Sequence, residues 1–266
     1  MKVGMVCPYD WSYPGGVRSH ITGLVPALKR RGVEVQIIAP ASRPEPDIFR
    51  AGRTIGIPFN GSVARLCFSI KARNKIAARL AKGDFDLLHI HEPASPSIGL
   101  LALSVSRIPV VATFHAASAG SRAYALARPV LARPFRRITE RIAVSSEALR
   151  LVSAHFPGNY EQIPNGIDRR LFSSAAPRAE LQALKPFVLF VGRDEPRKGL
   201  RVALEAMGVV RSSFDARLVV AGDTSMRLPD WATRLGAVPN QDLPSVYRAA
   251  DVFVAPSLRG ESFGIV

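Results

Sequence analysis

The sequence predicts an α/β protein built from two doubly wound parallel sheets, and two observations carry this prediction. Short runs of apolar, often β-branched residues alternate with amphipathic stretches along the whole chain. This alternation is the strand–helix order of a parallel sheet covered by helices. The order restarts near residue 187, after a polar stretch that contains alanine and proline, which indicates a second sheet.

The strand-like runs are short and mostly apolar on both faces, as expected for strands that lie between two layers of helices. They are Val3–Cys7, Val33–Ala39, Leu87–Ile90, Val110–Phe114, Ile142–Val144, Phe187–Val191, Ala216–Ala221 and Val252–Ala255. The helix-like stretches between them are Arg18–Arg31, Ile70–Lys82, Ser146–His155, Arg201–Arg211 and Asp242–Ala249.

These elements predict a first domain over residues 1–168, a linker over 169–186 and a second domain over 187–266. The second domain has about three predicted strands and stops within a glycine-containing motif at Val266. A doubly wound sheet normally needs more strands to cover its core, so we expect the second domain to be truncated.

The charge of the chain is strongly positive, at +15, and it is uneven, since residues 1–165 carry 22 Lys and Arg against 10 Asp and Glu. Nucleic acid, an anionic membrane surface or an anionic substrate would each suit this charge, and an arginine-rich soluble protein is the plain alternative. No apolar run is long enough for a transmembrane helix, and two cysteines cannot form a disulfide framework or a four-ligand zinc site. We expect a cytosolic, reduced protein.

Three glycine-containing turns follow predicted strands. Pro14-Gly15-Gly16-Val17 precedes a helix, where glycine lets a phosphate approach the free N–H groups. The basic loop, defined as residues 192–199 (GRDEPRKG), carries Arg193 and Lys198, which are suited to a diphosphate. Glu261 in Gly260-Glu261-Ser262-Phe263-Gly264 is suited to sugar hydroxyls. Each motif also has a purely structural alternative. The first could be a plain turn, the basic loop could be a solvated loop, and Glu261 could be an acid at a helix N-terminus.

His115 closes the apolar strand Val110–Phe114 and is expected to face the cleft at the carboxyl edge of the sheet. His89 and His91 form an H-x-H pair on another strand. They lack a third ligand at a clear spacing, so hydrogen bonding is the preferred interpretation and no metal site is predicted. His20 and His155 are interpreted as surface or packing residues of helices.

Basic residues recur at helical spacing over the stretch Ile70–Lys82, beside an apolar stripe of Ala72, Ile76 and Leu80. Such a helix can lie on an anionic membrane, or it can pack its apolar stripe on the sheet, and the sequence favours neither. The basic residues that would contact a membrane are Lys71, Arg73, Lys75, Arg79 and Lys82.

Together these elements resemble the GT-B glycosyltransferases of family GT4, and within that family the phosphatidylinositol mannosyltransferases of actinobacteria. The resemblance spans the chain and is carried by GMVCPY with PGGV, IPFNGSVARL, GDFDLLHIHEP, ATFH, RIAVS, IPNGID, VGRDEPRKG and GESFGIV. It implies a GT-B fold and a retaining enzyme that moves mannose from GDP-mannose to phosphatidylinositol, in phosphatidylinositol mannoside biosynthesis. The implied enzyme is a monomer that binds the cytoplasmic face of the plasma membrane peripherally.

The resemblance also implies the roles of individual residues. The catalytic group is His115, Arg193, Lys198 and Glu261. The donor would be bound by Gly15, Gly16, Arg193, Lys198, Glu261, Phe263 and Gly264, and the acceptor by Tyr9, Asn60, Ser62 and Arg65. The implied mechanism has no enzymic nucleophile, because the leaving diphosphate takes the proton of the acceptor. No tightly bound cofactor is implied, and Mg²⁺ is an optional companion of the donor diphosphate.

The chain departs from the family pattern in three places. The second glutamate of the family's acidic motif would lie beyond Val266, the segment after ATFH lacks its usual lysine and reads Ala116–Gly120, and Cys67 stands where close relatives often have arginine. A family member with another nucleotide sugar or acceptor is therefore one alternative, and a non-catalytic fragment that binds anionic lipid is another. Nucleic-acid binding is not expected, because no motif of that class occurs.

Overall fold

The computed structural model describes residues 1–59, 62–116 and 121–258. Its contacts divide the described chain into two compact units, residues 1–166 and residues 167–258. In the part of the chain that the structure describes, no helix is both long and apolar enough to cross a bilayer.

Within residues 1–59, 62–116 and 121–166, the first unit contains nine strands and five α-helices. The strands are β1 (Lys2–Val6), β2 (Glu34–Ala39), β3 (Ile48–Arg50), β4 (Ile55–Phe59), β5 (Ser62–Leu66), β6 (Leu87–His91), β7 (Val110–Phe114), β8 (Glu140–Ala143) and β9 (Glu161–Gln162). The helices are α1 (Gly16–Lys29), α2 (Ile70–Lys82), α3 (Ile98–Val105), α4 (Ser121–Phe135) and α5 (Ser146–His155).

Seven of these strands form one parallel sheet in the order β3-β2-β1-β6-β7-β8-β9. Successive side chains of a strand point to opposite faces of the sheet. Met5 and Val6 of β1 are both fully buried, and they belong to two different apolar clusters. Both faces of the sheet are therefore covered, which confirms the doubly wound prediction for this unit.

Strands β4 and β5 lie outside that sheet and form an antiparallel hairpin, with Ile55 opposite Leu66 and Ile57 opposite Ala64. The sequence analysis treated this segment only as a motif and missed the hairpin. It also missed β3, β9, α3 and α4. The first helix begins two residues earlier than predicted, at Gly16.

The second unit contains a four-stranded parallel sheet in the order β12-β11-β10-β13. Its strands are β10 (Phe187–Val191), β11 (Arg217–Ala221), β12 (Ala232–Gly236) and β13 (Val252–Val254), and its α-helices are α6 (Arg169–Ser173), α7 (Leu200–Val210) and α8 (Leu243–Ala249). The sequence predicted three of the four strands and missed β12. Leu189 and Phe190 are both buried, in different clusters, so this sheet is also covered on both faces.

The segment expected to be a linker, residues 169–186, has regular structure. It holds α6 and a 3₁₀ helix over Ala179–Leu184. Phe172 of α6 contacts Tyr247 of α8 edge to face, and the Arg178 N–H donates to the Ser245 carbonyl. This segment packs on the second unit.

Candidate functional site

The carboxyl edge of the first sheet gathers the polar residues of the candidate site. Strands β1, β6 and β7 are neighbours and run parallel, so the residues that follow them emerge at one edge. Tyr9 follows β1, Glu92 follows β6 and His115 follows β7. This arrangement brings His115 to the edge where the sequence placed it.

Four of the five histidines, His20, His89, His91 and His115, form a cluster at this edge, here called the histidine cluster. His91 Nδ1 lies 3.0 Å from His115 Nε2, and the His89 ring stacks on His91 at 4.4 Å between centroids. The His20 ring meets His91 and His115 edge on, at 5.3 and 5.2 Å. The sequence missed His20, because helical spacing alone does not show which face of α1 meets the edge of the sheet.

Burial keeps the histidine cluster neutral. Desolvation lowers the pKa of His89 to about 4 and the pKa of His115 to about 3, and the neighbouring histidines add to both shifts. The same causes place the pKa of His91 well below its usual value. Each neutral imidazole keeps one N–H donor and one nitrogen lone pair, so it can form hydrogen bonds or bind a metal, but it is not an imidazolium acid at neutral pH.

Glu92 holds the backbone that carries His115. Its buried carboxylate accepts hydrogen bonds from the His115 N–H (2.8 Å), the Ala116 N–H (2.9 Å) and the Tyr124 hydroxyl (3.0 Å). Burial raises the pKa of Glu92, although these hydrogen bonds oppose the rise. The sequence gave Glu92 no role, yet the rule applied to His115, a polar residue that closes an apolar strand, would have identified it.

Two of the four residues expected at the acceptor, Tyr9 and Arg65, are described with their side chains. The Tyr9 hydroxyl lies 3.5 Å from the Ser95 hydroxyl, and the Arg65 guanidinium stacks over the Tyr13 ring at 3.8 Å. Residue Asn60 and the side chain of Ser62 lie outside the described part. The Tyr9–Leu66 bridge joins the hairpin to the residues that follow β1, which places Arg65 near that strand end.

The departure at Cys67 lies in the core. The Cys67 side chain is buried among the residues of the larger apolar cluster, and the Cys67 N–H donates a hydrogen bond to the Ser97 hydroxyl. An arginine could not keep this packing. In this chain, residue 67 is therefore a buried position that holds an uncharged side chain.

The turn Gly15–Gly16 lies at the amino end of α1. Gly15 caps the helix in an extended conformation, and both glycines are exposed. A Cβ atom at either position would meet nothing within 4 Å. The amino end of α1 is therefore open to a ligand, as the phosphate-binding prediction requires.

In the second unit, the basic loop is organised by Glu195. This buried carboxylate pairs with Arg193 at 3.0 Å and with Arg197 at 2.7 Å. Arg193 nevertheless keeps 57% of its side chain exposed, while Arg197 keeps 22%. The sequence identified Arg193 and Lys198 but missed Glu195, which holds Arg193 toward solvent.

The basic loop follows β10, and the two strands beside β10, β11 and β13, bring their following segments to it. The Asp194 carboxylate accepts hydrogen bonds from the Thr224 hydroxyl (2.9 Å) and the Ser225 N–H (3.0 Å), in the loop after β11. The Leu258 N–H donates to the Arg197 carbonyl at 2.9 Å, in the segment after β13. Glu261, Phe263 and Gly264 follow that segment and lie outside the described residues, as do residues 117–120.

The basic stretch predicted to face a membrane forms α2, and the structure divides its residues into two groups. Lys71, Arg73 and Lys82 are exposed. Lys75 is exposed as well but donates to the Arg50 carbonyl, and the partly buried Arg79 donates to the Gln36 side chain.

The apolar stripe of α2 packs inward, since Ala72 and Ile76 are buried in the core. The basic face of α2 and the exposed Ile70 at its first turn are therefore available to a surface.

Comparison with known proteins identifies the family. The model of "Glycosyltransferase Family 4" matches residues 14–171, and the model "Glycosyl transferases group 1" matches residues 185–266. The chain belongs to glycosyltransferase family 4. Its relatives in this family include the phosphatidyl-myo-inositol mannosyltransferase of Mycobacterium leprae, which is 41% identical over all of this chain and 75% of the relative. They also include the D-inositol 3-phosphate glycosyltransferase of Mycolicibacterium gilvum, which is 32% identical over 95% of this chain and 66% of the relative.

The chain also has the fold seen in solved structures of glycosyltransferases. A glycosyltransferase from Rickettsia africae superimposes with a TM-score of 0.68 at 17% identity, over 98% of this chain and 74% of that one. The two parallel sheets and this likeness identify the GT-B fold. The family prediction and the fold prediction are both confirmed.

Proposed function

We propose that the chain is a retaining mannosyltransferase that moves mannose from GDP-mannose to phosphatidylinositol. The observation that carries the proposal is the 41% identity, along the whole chain, to a protein named phosphatidyl-myo-inositol mannosyltransferase. Identity falls to 32% with a relative named for D-inositol 3-phosphate. Both names contain an inositol phosphate, and that chemistry is the core of the proposed acceptor.

The state of the site residues supports a mechanism without an enzymic nucleophile. The Glu92 carboxylate already accepts three hydrogen bonds within the protein. His115 is neutral at physiological pH, since burial lowers its pKa to about 3. Neither group is suited to attack the sugar or to supply a proton. We propose that the leaving diphosphate takes the acceptor proton, while His115 contacts the donor sugar beside the reacting carbon.

The basic loop supports the donor half of the proposal. A nucleotide diphosphate gains negative charge as its bond to the sugar breaks, and cations held nearby stabilise that charge. Arg193 is exposed and is held by the buried Glu195, so its side chain is positioned within the second unit itself. In this proposal Arg193 and Lys198 bind the diphosphate, Gly15 and Gly16 admit it, and Glu261, Phe263 and Gly264 hold the sugar. Mg²⁺ enters only with the donor, and no resident cofactor takes part.

The first unit supports a membrane-bound acceptor. The segment from residue 55 to residue 70 contains the hairpin and the start of α2. It carries five exposed large apolar side chains, namely Ile55, Ile57, Val63, Phe68 and Ile70. The exposed basic residues of α2 follow directly. Apolar groups beside cations suit the boundary of an anionic bilayer. We propose that this surface docks on the cytoplasmic face of the membrane as a monomer, with Tyr9, Asn60, Ser62 and Arg65 at the inositol phosphate.

Donor choice is tested by calorimetry with the 266-residue chain, with GDP-mannose and UDP-glucose as the two ligands. We expect GDP-mannose to bind and UDP-glucose to bind at least tenfold more weakly. Arg193→Ala should weaken GDP-mannose binding by about 1.5–3 kcal/mol, the range for a hydrogen bond to a charged group. Arg201→Ala, an exposed arginine on α7, is the matched control. Equal binding of the two donors would remove the GDP-mannose assignment.

Acceptor choice is tested by mannose transfer to vesicles that contain phosphatidylinositol, with vesicles of phosphatidylserine and with D-inositol 3-phosphate as separate arms. Transfer to the lipid alone supports the proposal. Transfer to D-inositol 3-phosphate would move the assignment to the second acceptor. Vesicle binding without donor binding would identify a lipid-binding protein that performs no transfer.

Membrane docking is tested by neutralising three of the exposed basic residues of α2. The triple substitution Lys71→Gln, Arg73→Gln and Lys82→Gln should weaken binding to anionic vesicles by about 1 kcal/mol per residue. Lys29→Gln, Arg30→Gln and Arg31→Gln remove the same charge from the exposed end of α1 and serve as the control. An equal loss in both variants would mean that net charge, and not this surface, drives binding.

A further inference from the structure

Three histidines of the histidine cluster have the arrangement of a metal site. One ligand nitrogen from each of His20, His91 and His115, here called the histidine triad, lies within 4.8 Å of the other two. The residues come from α1, from the end of β6 and from the position after β7, so the packed sheet fixes their spacing. We propose that the histidine triad binds one divalent transition-metal ion of the zinc class through three imidazole nitrogens.

One pair of nitrogens in the histidine triad is already close to the spacing that a metal requires. His91 Nδ1 and His115 Nε2 are 3.0 Å apart. Two nitrogens bound to one tetrahedral zinc ion, with bonds of 2.0–2.1 Å, lie about 3.3 Å apart. The two nitrogens therefore need to move apart by only about 0.3 Å for an ion to replace the proton that the two rings share. His20 meets both rings edge on, which brings its ring to the same point.

The tautomer of His91 is already the one that a metal requires. His91 Nε2 lies 3.0 Å from the Met5 sulfur, and a thioether only accepts hydrogen bonds. The proton of His91 is therefore on Nε2, and its Nδ1 lone pair points at His115. His115 reaches the ligand form when its proton moves from Nε2 to Nδ1, with no change in charge.

The type of ligand indicates the class of ion. Nitrogen ligands select zinc, cobalt, nickel and copper, whereas Mg²⁺ prefers oxygen. This ion is therefore distinct from any Mg²⁺ that accompanies the donor diphosphate.

Occupancy of the triad has a consequence that rests on the proposed function. The ion takes the His115 nitrogen that lies at the carboxyl edge of the sheet, beside the proposed position of the donor sugar. Metal and donor then compete for His115, and the metal acts as an inhibitor of transfer. The metal is not a cofactor in this proposal.

The experiment titrates Co²⁺ and Zn²⁺ into the 266-residue chain without nucleotide or lipid. Calorimetry gives the stoichiometry with Zn²⁺, and the visible absorption of Co²⁺ reports its coordination by nitrogen in a tetrahedral site. His20→Ala removes one ligand from outside the sheet, and His155→Ala is the matched control, because His155 is the one histidine in the sequence outside the histidine cluster. His20→Gln keeps a polar side chain of similar length. It replaces His20→Ala in the experiment if the alanine variant does not fold.

We expect one ion per chain in the unsubstituted protein and in His155→Ala. His20→Ala and His20→Gln should bind more than about 100-fold more weakly, beyond the 10–100-fold that loss of an outer partner of a metal ligand costs. Absence of binding in the unsubstituted chain, or equal affinity in the His20 variants, would overturn the proposal. Binding is measured without donor or acceptor, so either result is independent of the transferase assignment.

Discussion

Glu92 closes β6 with its backbone at a φ of 48° and its carboxylate buried beneath the turn that carries His115. A non-glycine residue rarely has this left-handed backbone conformation, and the surrounding structure must stabilise it. Here the surroundings are two backbone N–H groups and the Tyr124 hydroxyl. Glu92 is therefore a positioning residue, and its effect on the site passes through the backbone of His115.

Removal of the Glu92 carboxylate should destabilise the first unit. Glu92→Ala leaves buried donors without an acceptor, at about 1–3 kcal/mol for each unsatisfied group. We expect a loss of about 3 kcal/mol in urea unfolding. Glu92→Gln should cost less than half of this, because its amide oxygen still accepts from the backbone. Glu140→Gln, at the exposed start of β8, should have little effect, and equal losses in Glu92→Ala and Glu92→Gln would refute this account.

Single residues also show where sequence reasoning ends. His115 was predicted at the carboxyl edge because it closes an apolar strand, and strand ends are visible in a sequence. His20 joins the same cluster from a helix, and the sequence does not give the rotation of α1 against the sheet. The sequence analysis gave Glu195 no role, because its burial between two arginines depends on packing.

At the scale of elements, the strands that are buried on both faces were predicted, and so was the exposed edge strand β13, whereas the edge strands β3, β9 and β12 and the hairpin were missed. Strands buried on both faces are continuous apolar runs, which β1, β7 and β10 provide. Helix α3 is apolar on nearly every side and has no helical period to detect. Helix α4 contains Pro129 and Pro134, which argue against a helix. Buried packing of Tyr124, Leu131 and Phe135 offsets that cost.

The junction between the basic loop and α7 depends on Gly199. Its φ is +76°, and a Cβ atom there would lie 2.0 Å from the Pro256 carbonyl oxygen. The left-handed conformation alone costs a non-glycine residue about 1–2 kcal/mol, and the clash requires the backbone to move. We therefore expect Gly199→Ala to destabilise the second unit by more than about 2 kcal/mol and to weaken donor binding.

A second glycine of α7 provides the control. Gly208 lies inside the helix, and a Cβ atom there would meet nothing within 4 Å. Gly208→Ala should stabilise the second unit by about 0.5–1 kcal/mol, because glycine is a poor helix former. Thermal unfolding of both variants gives the comparison. Destabilisation by Gly208→Ala, or none by Gly199→Ala, would show that the contacts of Gly199 do not decide the effect.

At the scale of the whole molecule, neutral histidines make stability depend on pH. The folded pKa values of His89 and His115 are about 4 and about 3, below the unfolded value of about 6.5. Between these values the unfolded chain binds more protons than the folded one, so stability rises with pH across this window. Lowering the pH from 7 to 5 should cost about 2 kcal/mol for each histidine that stays neutral.

Urea unfolding at pH 5, 6 and 7 measures this dependence. We expect the loss at pH 5 to become smaller in His89→Gln, which removes one member of the histidine cluster. His155→Gln should keep the full loss, because His155 lies outside it. A profile that is flat from pH 7 to 5 would contradict the neutral state of the cluster.

The two cysteines allow the first unit to be followed alone. Cys7 and Cys67 are free and buried, in apolar clusters on opposite faces of the first sheet, and the second unit has no cysteine. Burial raises the pKa of Cys7 to about 12 and also raises that of Cys67, so a folded unit offers almost no thiolate to an alkylating reagent. The rate of alkylation therefore measures how often each helix layer of the first unit opens. Unequal rates at the two thiols would show that one layer separates from the sheet before the other.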